Sequence, residues 1–428
     1  MSRSRSPTVL SATAAIFAKR SFCRNDTIRG VPLEFDQART IVIEAVRSLR
    51  TPRRTAPLPL ERADGRILAE DVLADRDYPA LDRSLRDGFA VRSNDVPGTL
   101  RIAGEVRAGD RSLAPLAAGH ALEIMTGAPV PPGADAVVMV EHTSRIDHDE
   151  VHMEQAAEPG QFINRRGAEA PAGARLIPAG TRLDASHVAA LAMTGHTAVS
   201  VFTLPSVAIL ATGDEIVALD ERPAAHQIRN SNSFMLAALV RRAGGVPKIL
   251  PVAADTKEAL LPLLQQGLEH DLLIASGGVS AGKYDLVKPA LRELGVTFHF
   301  ERVRVQPGQP TAFGIGHNKP VFGLPGNPGS TLITFQLFGR AALELLGGLS
   351  DPLLPLLSAR FEAPFRHKLG LTRFLPARLG ADGQTLRHIP WQGSSDIPAL
   401  AKANAFLVAD HDRDSWQAGD AIRVMEKP

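Results

Sequence analysis

Several features that define large protein classes are nearly absent from this sequence of 428 residues. It has one cysteine, Cys23, which excludes an internal disulfide and a zinc site built from cysteines. No apolar run reaches the roughly 18 residues that span a bilayer, so we expect no membrane association. Aromatic residues make up only 5% and the net charge is +2, so neither base stacking nor overall charge favours nucleic acid binding. So low a cysteine content is typical of a reducing compartment, and we predict a cytoplasmic protein.

Glycine and proline are abundant instead, with 36 and 32 residues. Both favour turns between short elements, and the length fits about three domains of roughly 150 residues each. Residues 1–30 contain six basic residues and one acid. We predict a disordered tail there, and a transit or signal peptide is the alternative.

The chain divides into stretches with different patterns. Apolar residues at helical spacing predict a helix over 33–49, with Asp36 as its cap. Between 86 and 142, short alternating runs separated by glycine and proline predict a small β barrel or sandwich. After Pro205, strands and helices alternate, which predicts a doubly wound parallel sheet. From about Asp351 on, a strand pattern without good helices predicts a small C-terminal β domain.

Three glycine-rich loops follow predicted strands of the α/β region. They read A-T-G-D-E at 211–215, S-G-G-V-S-A-G at 276–282 and P-G-N-P-G-S at 325–330. Ligands of open α/β sheets bind at the carboxyl ends of strands, and glycine lets backbone N–H groups approach an anion. The loops therefore predict a site for a phosphate-bearing ligand. Its predicted lining residues from the second and third loops are Gly277, Gly278, Ser280, Gly282, Pro325, Gly326 and Asn327.

Carboxylates accompany these loops. Glu215 and Asp285 come just past two strand ends, and Asp255 follows a third. Carboxylates beside a phosphate site usually hold Mg²⁺, although a helix cap or a surface acid is the alternative for each residue alone. The sequence has no H-E-x-x-H, no Walker A lysine and no G-x-G-x-x-G, so zinc proteases, P-loop NTPases and NAD enzymes lack support.

The first half of the chain contributes two polar residues at predicted tight turns. Asp87 lies in S-L-R-D-G-F-A-V, and Thr126 lies in I-M-T-G-A-P-V-P-P-G. Each side chain can cap its own turn or face a ligand. Taken alone, the residues favour capping.

Together these motifs resemble, in order, those of the MoeA family of molybdopterin molybdenumtransferases, which includes the C-terminal part of gephyrin. The resemblance covers about residues 33–428 and rests on S-x-x-R-D-G-F-A-V, I-M-T-G-A-P-V-P-P-G-A-D-A-V-V, N-R-R-G-x-E, A-T-G-D-E, S-G-G-V-S-A-G-K-Y-D, P-G-Q-P and G-L-P-G-N-P. It implies ligation of molybdate to the dithiolene of adenylylated molybdopterin, with release of AMP and dependence on Mg²⁺. The implied substrates are molybdate and adenylylated molybdopterin.

The resemblance also implies a multidomain α/β and β fold in four parts. A split N-terminal domain is predicted at 31–52 and 160–204, an inserted β-rich domain at 53–159, a MogA-like doubly wound α/β domain that binds molybdopterin at 205–350, and a C-terminal β domain at 351–428. The family works as an elongated homodimer in which the β-rich domain of one subunit faces the α/β domain of the other. A MogA-like adenylyltransferase and molybdoenzyme maturation factors are further expected partners.

Residue roles follow from the same resemblance. Asp87, Thr126, Glu215 and Asp285 are the expected catalytic residues, and Glu215 and Asp285 are also the expected Mg²⁺ ligands. Other residues expected to contact the substrate are Asp255, Arg302, Gln306, Gln309 and Ser394.

One segment departs from the family pattern. Where the family often reads K-P-G-K-P, this chain has Gln306 and Gln309 in place of two cations. Arg302 matches a family lysine, and alternation along a predicted strand would point Arg302, Arg304 and Gln306 to the same face. We therefore expect a transferase with weaker molybdate binding. A paralogue that holds molybdopterin without inserting the metal is the alternative.

Overall fold

A computed structural model describes residues 33–49, 53–110, 114–279 and 286–427. The tail predicted at 1–30 lies outside the described residues, as do three predicted site residues, Ser280, Gly282 and Asp285. Buried apolar residues form separate clusters, one on each face of an α/β sheet and others in the β-rich regions. No helix in the described ranges is long and apolar enough to cross a membrane.

The first described helix, Phe35–Arg47, packs on the α/β domain. Its N-cap is Glu34 rather than the predicted Asp36, and the side chain of Gln37 accepts a hydrogen bond from the Glu34 backbone at 3.2 Å. The buried face of the helix contacts a later helix, Arg340–Leu346. This contact ties the start of the described chain to the domain that follows Pro205.

Strand pairing joins the two halves of the split domain. Thr55–Pro59 pairs antiparallel with Ala198–Phe202, and Val72–Leu73 pairs with Arg175–Ile177. Residues 55–73 therefore lie with the second half of the split domain, whereas the predicted boundary assigned them to the inserted domain. These short strands satisfy their backbone groups with partners roughly 100 to 150 residues away, and local sequence patterning carries no signal of such pairing.

The helix Ala185–Met193 completes this domain, as the sequence pattern predicts. Its N-cap is Asp184, which accepts hydrogen bonds from the backbone N–H groups of Ser186 at 2.9 Å and His187 at 3.0 Å. A short pairing of Arg83–Ser84 with Ile163–Asn164 leads into the inserted domain.

The inserted domain is a six-stranded sheet with its own buried core. It agrees with the alternating pattern of the sequence. Its strands, in spatial order, are Ala136–Met139, Gly88–Val91, His120–Ile124, Gly98–Val106, Glu150–Met153 and Thr143–Arg145.

The α/β domain has a second six-stranded sheet with helices on both faces. Its strands, in spatial order, are Val246–Ile249, Ser206–Ala211, Leu272–Ser276, Lys319–Leu324, Ala312–Gly316 and Thr297–Phe300. Its helices are Ser231–Arg242, Lys257–Gly267, Val287–Glu293 and a continuous run made of Pro328–Thr334, the π-helical Phe335–Gly339 and Arg340–Leu346. Two short strands, Ile216–Val217 and Ile228–Arg229, pair beside it.

The first four strands of this sheet are parallel, as predicted, and Ala312–Gly316 runs antiparallel to both of its neighbours. The sequence reading missed Ala312–Gly316 and expected a fully parallel sheet. His317 and Asn318 form the turn into the next strand, with φ of 50° and 61°. A two-residue turn can join only antiparallel strands, which explains the difference.

The C-terminal domain is a closed five-stranded barrel, because its last strand pairs back to the first. Its strands, in order around the barrel, are Leu356–Phe361, Thr385–His388, Thr372–Leu379, Ala405–Ala409 and Ala421–Glu426. The short pair Phe365–Arg366 and Ser415–Trp416 and a helix, Ile397–Lys402, accompany it. The strand Val305–Gln306 adds to Thr372–Leu379, although the sequence reading joined it to Thr297–Phe300.

Candidate functional site

A cleft of about 1240 Å³ lies at the carboxyl edge of the four parallel strands, where the α/β domain meets the C-terminal barrel. Loops after all four strands line it, because parallel strands end at a common edge of the sheet. Across that edge the order of lining residues is Asp255, Glu215, Gly277 and Gly326. The predicted convergence of the three glycine-rich loops is therefore present in the fold.

Gly277 and Gly278 form the turn after Leu272–Ser276. Their φ angles are +100° and +61°, in the left-handed region that glycine adopts without strain. A Cβ on Gly277 would lie 2.6 Å from the backbone oxygen of Thr212, and one on Gly278 would lie 2.7 Å from Val287. Neighbouring loops are thus too close for side chains here, so this part of the cleft is lined by backbone.

The third loop is fixed against the C-terminal domain. The Asn327 amide donates to Oγ of Ser394 at 3.0 Å, and the backbone N–H of Gly329 donates to the carbonyl of Ser394 at 2.7 Å. A Cβ on Gly329 would lie 2.9 Å from that carbonyl oxygen. Asn327 and Ser394, both predicted from sequence, are therefore brought together in the cleft wall.

The acidic corner, which we define as Asp214, Glu215 and Asp255, occupies one end of the sheet edge. The backbone N–H of Asp255 donates to Oδ1 of Asp214 at 3.1 Å. Partial burial, followed by the charges of Asp214 and Glu215, raises the pKa of Asp255, and a hydrogen bond with Thr212 opposes this effect. The three carboxylates repel one another, so the corner favours a cation.

A complete metal site is not formed by the described residues. Within those ranges, no group of three or more His, Cys, Asp or Glu side chains is placed to hold a metal ion. Glu215 lines the cleft and is exposed, but its predicted partner Asp285 lies outside the described residues. The predicted Mg²⁺ site remains a prediction.

The departure from the family pattern lies in the cleft itself. Gln306 and Gln309 both line it. Val303 and Val305 are buried and Arg302 is exposed, so the expected alternation is present, yet Arg302 lies outside the cleft lining. Arg304 forms an ion pair with Glu34, with Nε and Oε1 3.1 Å apart. The two arginines therefore bring no charge to the described cleft, which corrects the expectation drawn from strand alternation.

Asp87 and Thr126 lie together at an edge of the inserted domain. Oδ1 of Asp87 accepts from the backbone N–H of Thr126 at 2.6 Å and from its hydroxyl at 2.8 Å. These hydrogen bonds lower the pKa of Asp87. The capping contact suggested by the sequence is present. Neither residue lines the cleft of its own chain, so their predicted catalytic role stays a prediction.

Three family models match the chain in succession. They are the MoeA N-terminal region (domain I and II) at residues 33–195, a probable molybdopterin binding domain at 208–345, and the MoeA C-terminal region (domain IV) at 358–427.

The chain belongs to the MoeA family. A molybdopterin molybdenumtransferase from a Nostoc species is 38% identical over 321 residues, which cover 72% of this chain and 73% of that protein. Molybdopterin molybdenumtransferase 2 from Mycobacterium tuberculosis is 34% identical and covers 90% of this chain and 97% of that protein. The crystal structure of a molybdopterin biosynthesis MoeA protein from Pyrococcus horikoshii OT3 is similar at a TM-score of 0.75 and 27% identity, covering 92% of this chain and 100% of that one. The predicted family, multidomain fold and transferase class are thereby confirmed.

Two cleft residues of this MoeA-family chain were not predicted from sequence. The Asn232 amide donates to the Gly326 carbonyl at 2.6 Å and to Oγ of Ser276 at 3.0 Å, and so ties two loops together. Arg373 lines the cleft from the C-terminal barrel. Asn232 stands at the start of the helix Ser231–Arg242, a position from which sequence reasoning could have found it. Arg373 carries no local signal, because the strand pairing that places it is long-range.

Proposed function

We propose that this chain inserts molybdate into the dithiolene of adenylylated molybdopterin, with release of AMP and dependence on Mg²⁺, in molybdenum cofactor biosynthesis. The observation that carries the proposal is the cleft, in which four strand ends meet a barrel wall around backbone glycines and an acidic corner. A cleft that crosses four strand ends suits an extended ligand such as adenylylated molybdopterin. The MoeA-family relatives are named molybdopterin molybdenumtransferases, and these names support the proposed reaction.

The glycine loops would hold the phosphates. Gly277 and Gly278 expose backbone rather than side chains, and the loop Pro325–Asn327 leads directly into the start of a long helical run at Pro328. Backbone N–H groups and a helix N-terminus both favour anions. Asn232 and Ser394 hold these loops in place through their hydrogen bonds. The pyrophosphate of the adenylylated ligand is the group that this geometry suits.

The acidic corner would hold Mg²⁺. Glu215 and Asp255 present oxygen ligands, which Mg²⁺ prefers. Partial burial, followed by the charges of Asp214 and Glu215, raises the pKa of Asp255, and a cation would relieve the repulsion between these carboxylates. The sequence also assigns Asp285 to this site. When bound, the ion would neutralise charge on the pyrophosphate bridge, whose cleavage by water gives AMP and leaves one phosphate on molybdopterin. The glycine loops would orient the phosphates, and the oxygens of Glu215 and Asp255 would hold the ion beside them.

The cleft supports a homodimer as the working form. Asp87 and Thr126, which the family resemblance assigns to catalysis, lie outside the cleft of their own chain. If they act on the substrate, a second subunit must bring them there. A MogA-like adenylyltransferase as supplier of the ligand, and the cytoplasm as compartment, belong to the same proposal.

The decisive measurement is AMP release by the purified protein supplied with adenylylated molybdopterin, molybdate and Mg²⁺. A transferase releases AMP only when molybdate and Mg²⁺ are both present. The alternative, a scaffold paralogue that holds molybdopterin, would bind the adenylylated ligand and release no AMP under any of these conditions.

Glu215→Gln tests the metal corner within the same assay. The change removes one carboxylate without altering side-chain size, so we expect AMP release to fall by about tenfold or more, with partial recovery at raised Mg²⁺. Glu258→Gln is the matched control, because Glu258 is an exposed acid in the first turn of the helix Lys257–Gly267 and lies outside the cleft. Equal activity in both variants would remove Glu215 from the metal site.

A further inference from the structure

Charge is unevenly distributed along the cleft. Among its described lining residues, the charged side chains are Glu215, Asp255, Arg229 and Arg373. Glu215 follows Ser206–Ala211 and Asp255 follows the edge strand Val246–Ile249, whereas Arg373 belongs to the barrel at the other side. A ligand that spans the cleft therefore meets two carboxylates, with the exposed Arg229 beside Glu215, at one end and the Arg373 guanidinium at the other.

Backbone pairing sets the position of Arg373. Its strand runs parallel to Val305–Gln306, and Gln306 and Arg373 are directly paired in register. Paired residues in neighbouring strands lie about 4.8 Å apart and project to the same face of the sheet. Leu371 and Leu375 also line the cleft, as alternation from Arg373 requires. Arg373 thus stands beside Gln306 and shares its exposure to the cleft.

The guanidinium of Arg373 is not committed within the described chain. Its Nε is buried and has no hydrogen-bond partner among the described residues. Arg229, the other arginine of the lining, is exposed and donates through Nε to the carbonyl of Glu221 at 3.0 Å. Arg304 is likewise occupied by Glu34. Of these three arginines, Arg373 alone combines a place in the cleft with an unused buried donor.

We propose that Arg373 binds the oxyanion substrate, with Gln306 and Gln309 as neutral donors beside it. The inference rests on the proposed function and deepens it. A guanidinium offers two parallel N–H groups, which match two oxygens of a tetrahedral oxyanion. Two sources have this chemistry, free molybdate and a phosphate of the adenylylated ligand. We assign Arg373 to molybdate, because the phosphate loops lie on the α/β sheet and Arg373 lies on the barrel.

The test measures binding of molybdate alone to the full-length protein by calorimetry, apart from any turnover. We expect Arg373→Gln to weaken molybdate binding by about tenfold or more, and Arg373→Lys to weaken it less, since the charge remains. Arg378→Gln is the matched control, because Arg378 is an exposed arginine on the same strand outside the cleft. It should bind as the wild type does.

Two further measurements concern recovery of molybdate affinity and binding of the phosphate-bearing ligand. In the Arg373→Gln background, Gln309→Lys returns a cation to the cleft and should restore part of the affinity, less so as salt rises. Binding of adenylylated molybdopterin without molybdate should be unchanged in Arg373→Gln. Loss of that binding instead, unchanged molybdate binding, or a wild type that binds no molybdate would each overturn the inference. AMP release by the wild type would still stand as separate evidence for the proposed function.

Discussion

Replacing Asp255 with asparagine should stabilise the protein, although the residue lies in the proposed active cleft. Burial and the charges of Asp214 and Glu215 raise the pKa of Asp255. A carboxyl group with a raised pKa in the folded state contributes stability below its unfolded pKa, and this contribution is lost as pH rises through the folded pKa. At pH 7 the wild type therefore carries an unfavourable charge that Asp255→Asn removes.

The expected gain is modest because Asp255 is only partly buried. Two unit charges about 5 Å apart interact by roughly 0.8 kcal/mol in a water-like medium, and solvent and salt reduce this further. We expect a gain of about 0.5 kcal/mol, or roughly 1–2 °C in the thermal midpoint. The substitution leaves in place the backbone N–H that donates to Asp214. The local geometry should therefore survive the change.

Thermal denaturation between pH 3 and 8 checks this prediction. The difference between variant and wild type should be present at pH 7 and vanish near pH 3, where Asp255 is protonated in both states. Added Mg²⁺ should raise the midpoint of the wild type more than that of the variant. Asp184→Ala should change the thermal midpoint in the opposite direction and lower it at pH 7. Hydrogen bonds from Ser186 and His187 lower the pKa of Asp184 to about 2, so its carboxylate stabilises the fold and this contribution is lost only as pH falls. A lower midpoint for Asp255→Asn at pH 7 would refute the reasoning.

Two further predictions concern the glycine turn and the assembly. Gly277→Ala should lower the free energy of unfolding by roughly 1–3 kcal/mol and abolish ligand binding, because its Cβ would strike the Thr212 carbonyl. Gly383→Ala is the control, because Gly383 has a φ of +66° and open space around it. It should lower the free energy of unfolding less and leave ligand binding intact. Mixing inactive Asp87→Ala and Asp285→Ala proteins should restore AMP release after subunit exchange, since one cleft per dimer becomes intact. No recovery would mean that each site is built within one chain.

The sequence predicted elements where the signal is local. Helices such as Ala185–Met193 follow from apolar spacing and a capping residue, and the strands that feed the glycine loops follow from buried apolar runs. Long-range pairing was beyond such reasoning. The attachment of Thr55–Pro59 to Ala198–Phe202 and the antiparallel strand Ala312–Gly316 depend on contacts that no local pattern encodes.

The same contrast between local signals and long-range contacts explains which site residues could be predicted. The glycine loops were predictable because parallel strands end at one edge, so three local motifs had to converge. Asn327 came from the third glycine-rich loop and Ser394 from family resemblance, and the structure adds the hydrogen bond between them. Arg302 was placed by assuming one continuous strand, whereas the described chain has Thr297–Phe300 in one sheet and Val305–Gln306 in another.

The break between those two strands has a consequence for how charge reaches the cleft. Because Val305–Gln306 pairs with the barrel rather than with the α/β sheet, Gln306 and Arg373 lie side by side in one sheet. Gly308 packs closely on the α/β domain, since a Cβ there would lie 2.3 Å from the Thr334 methyl group. The positive side of the cleft is therefore positioned by strand pairing in the barrel and by this close contact with the α/β domain, while the acidic corner belongs to the α/β domain alone. A cation lost at Gln306 can accordingly be replaced by one from its paired strand, without any change in the motif that the sequence displays.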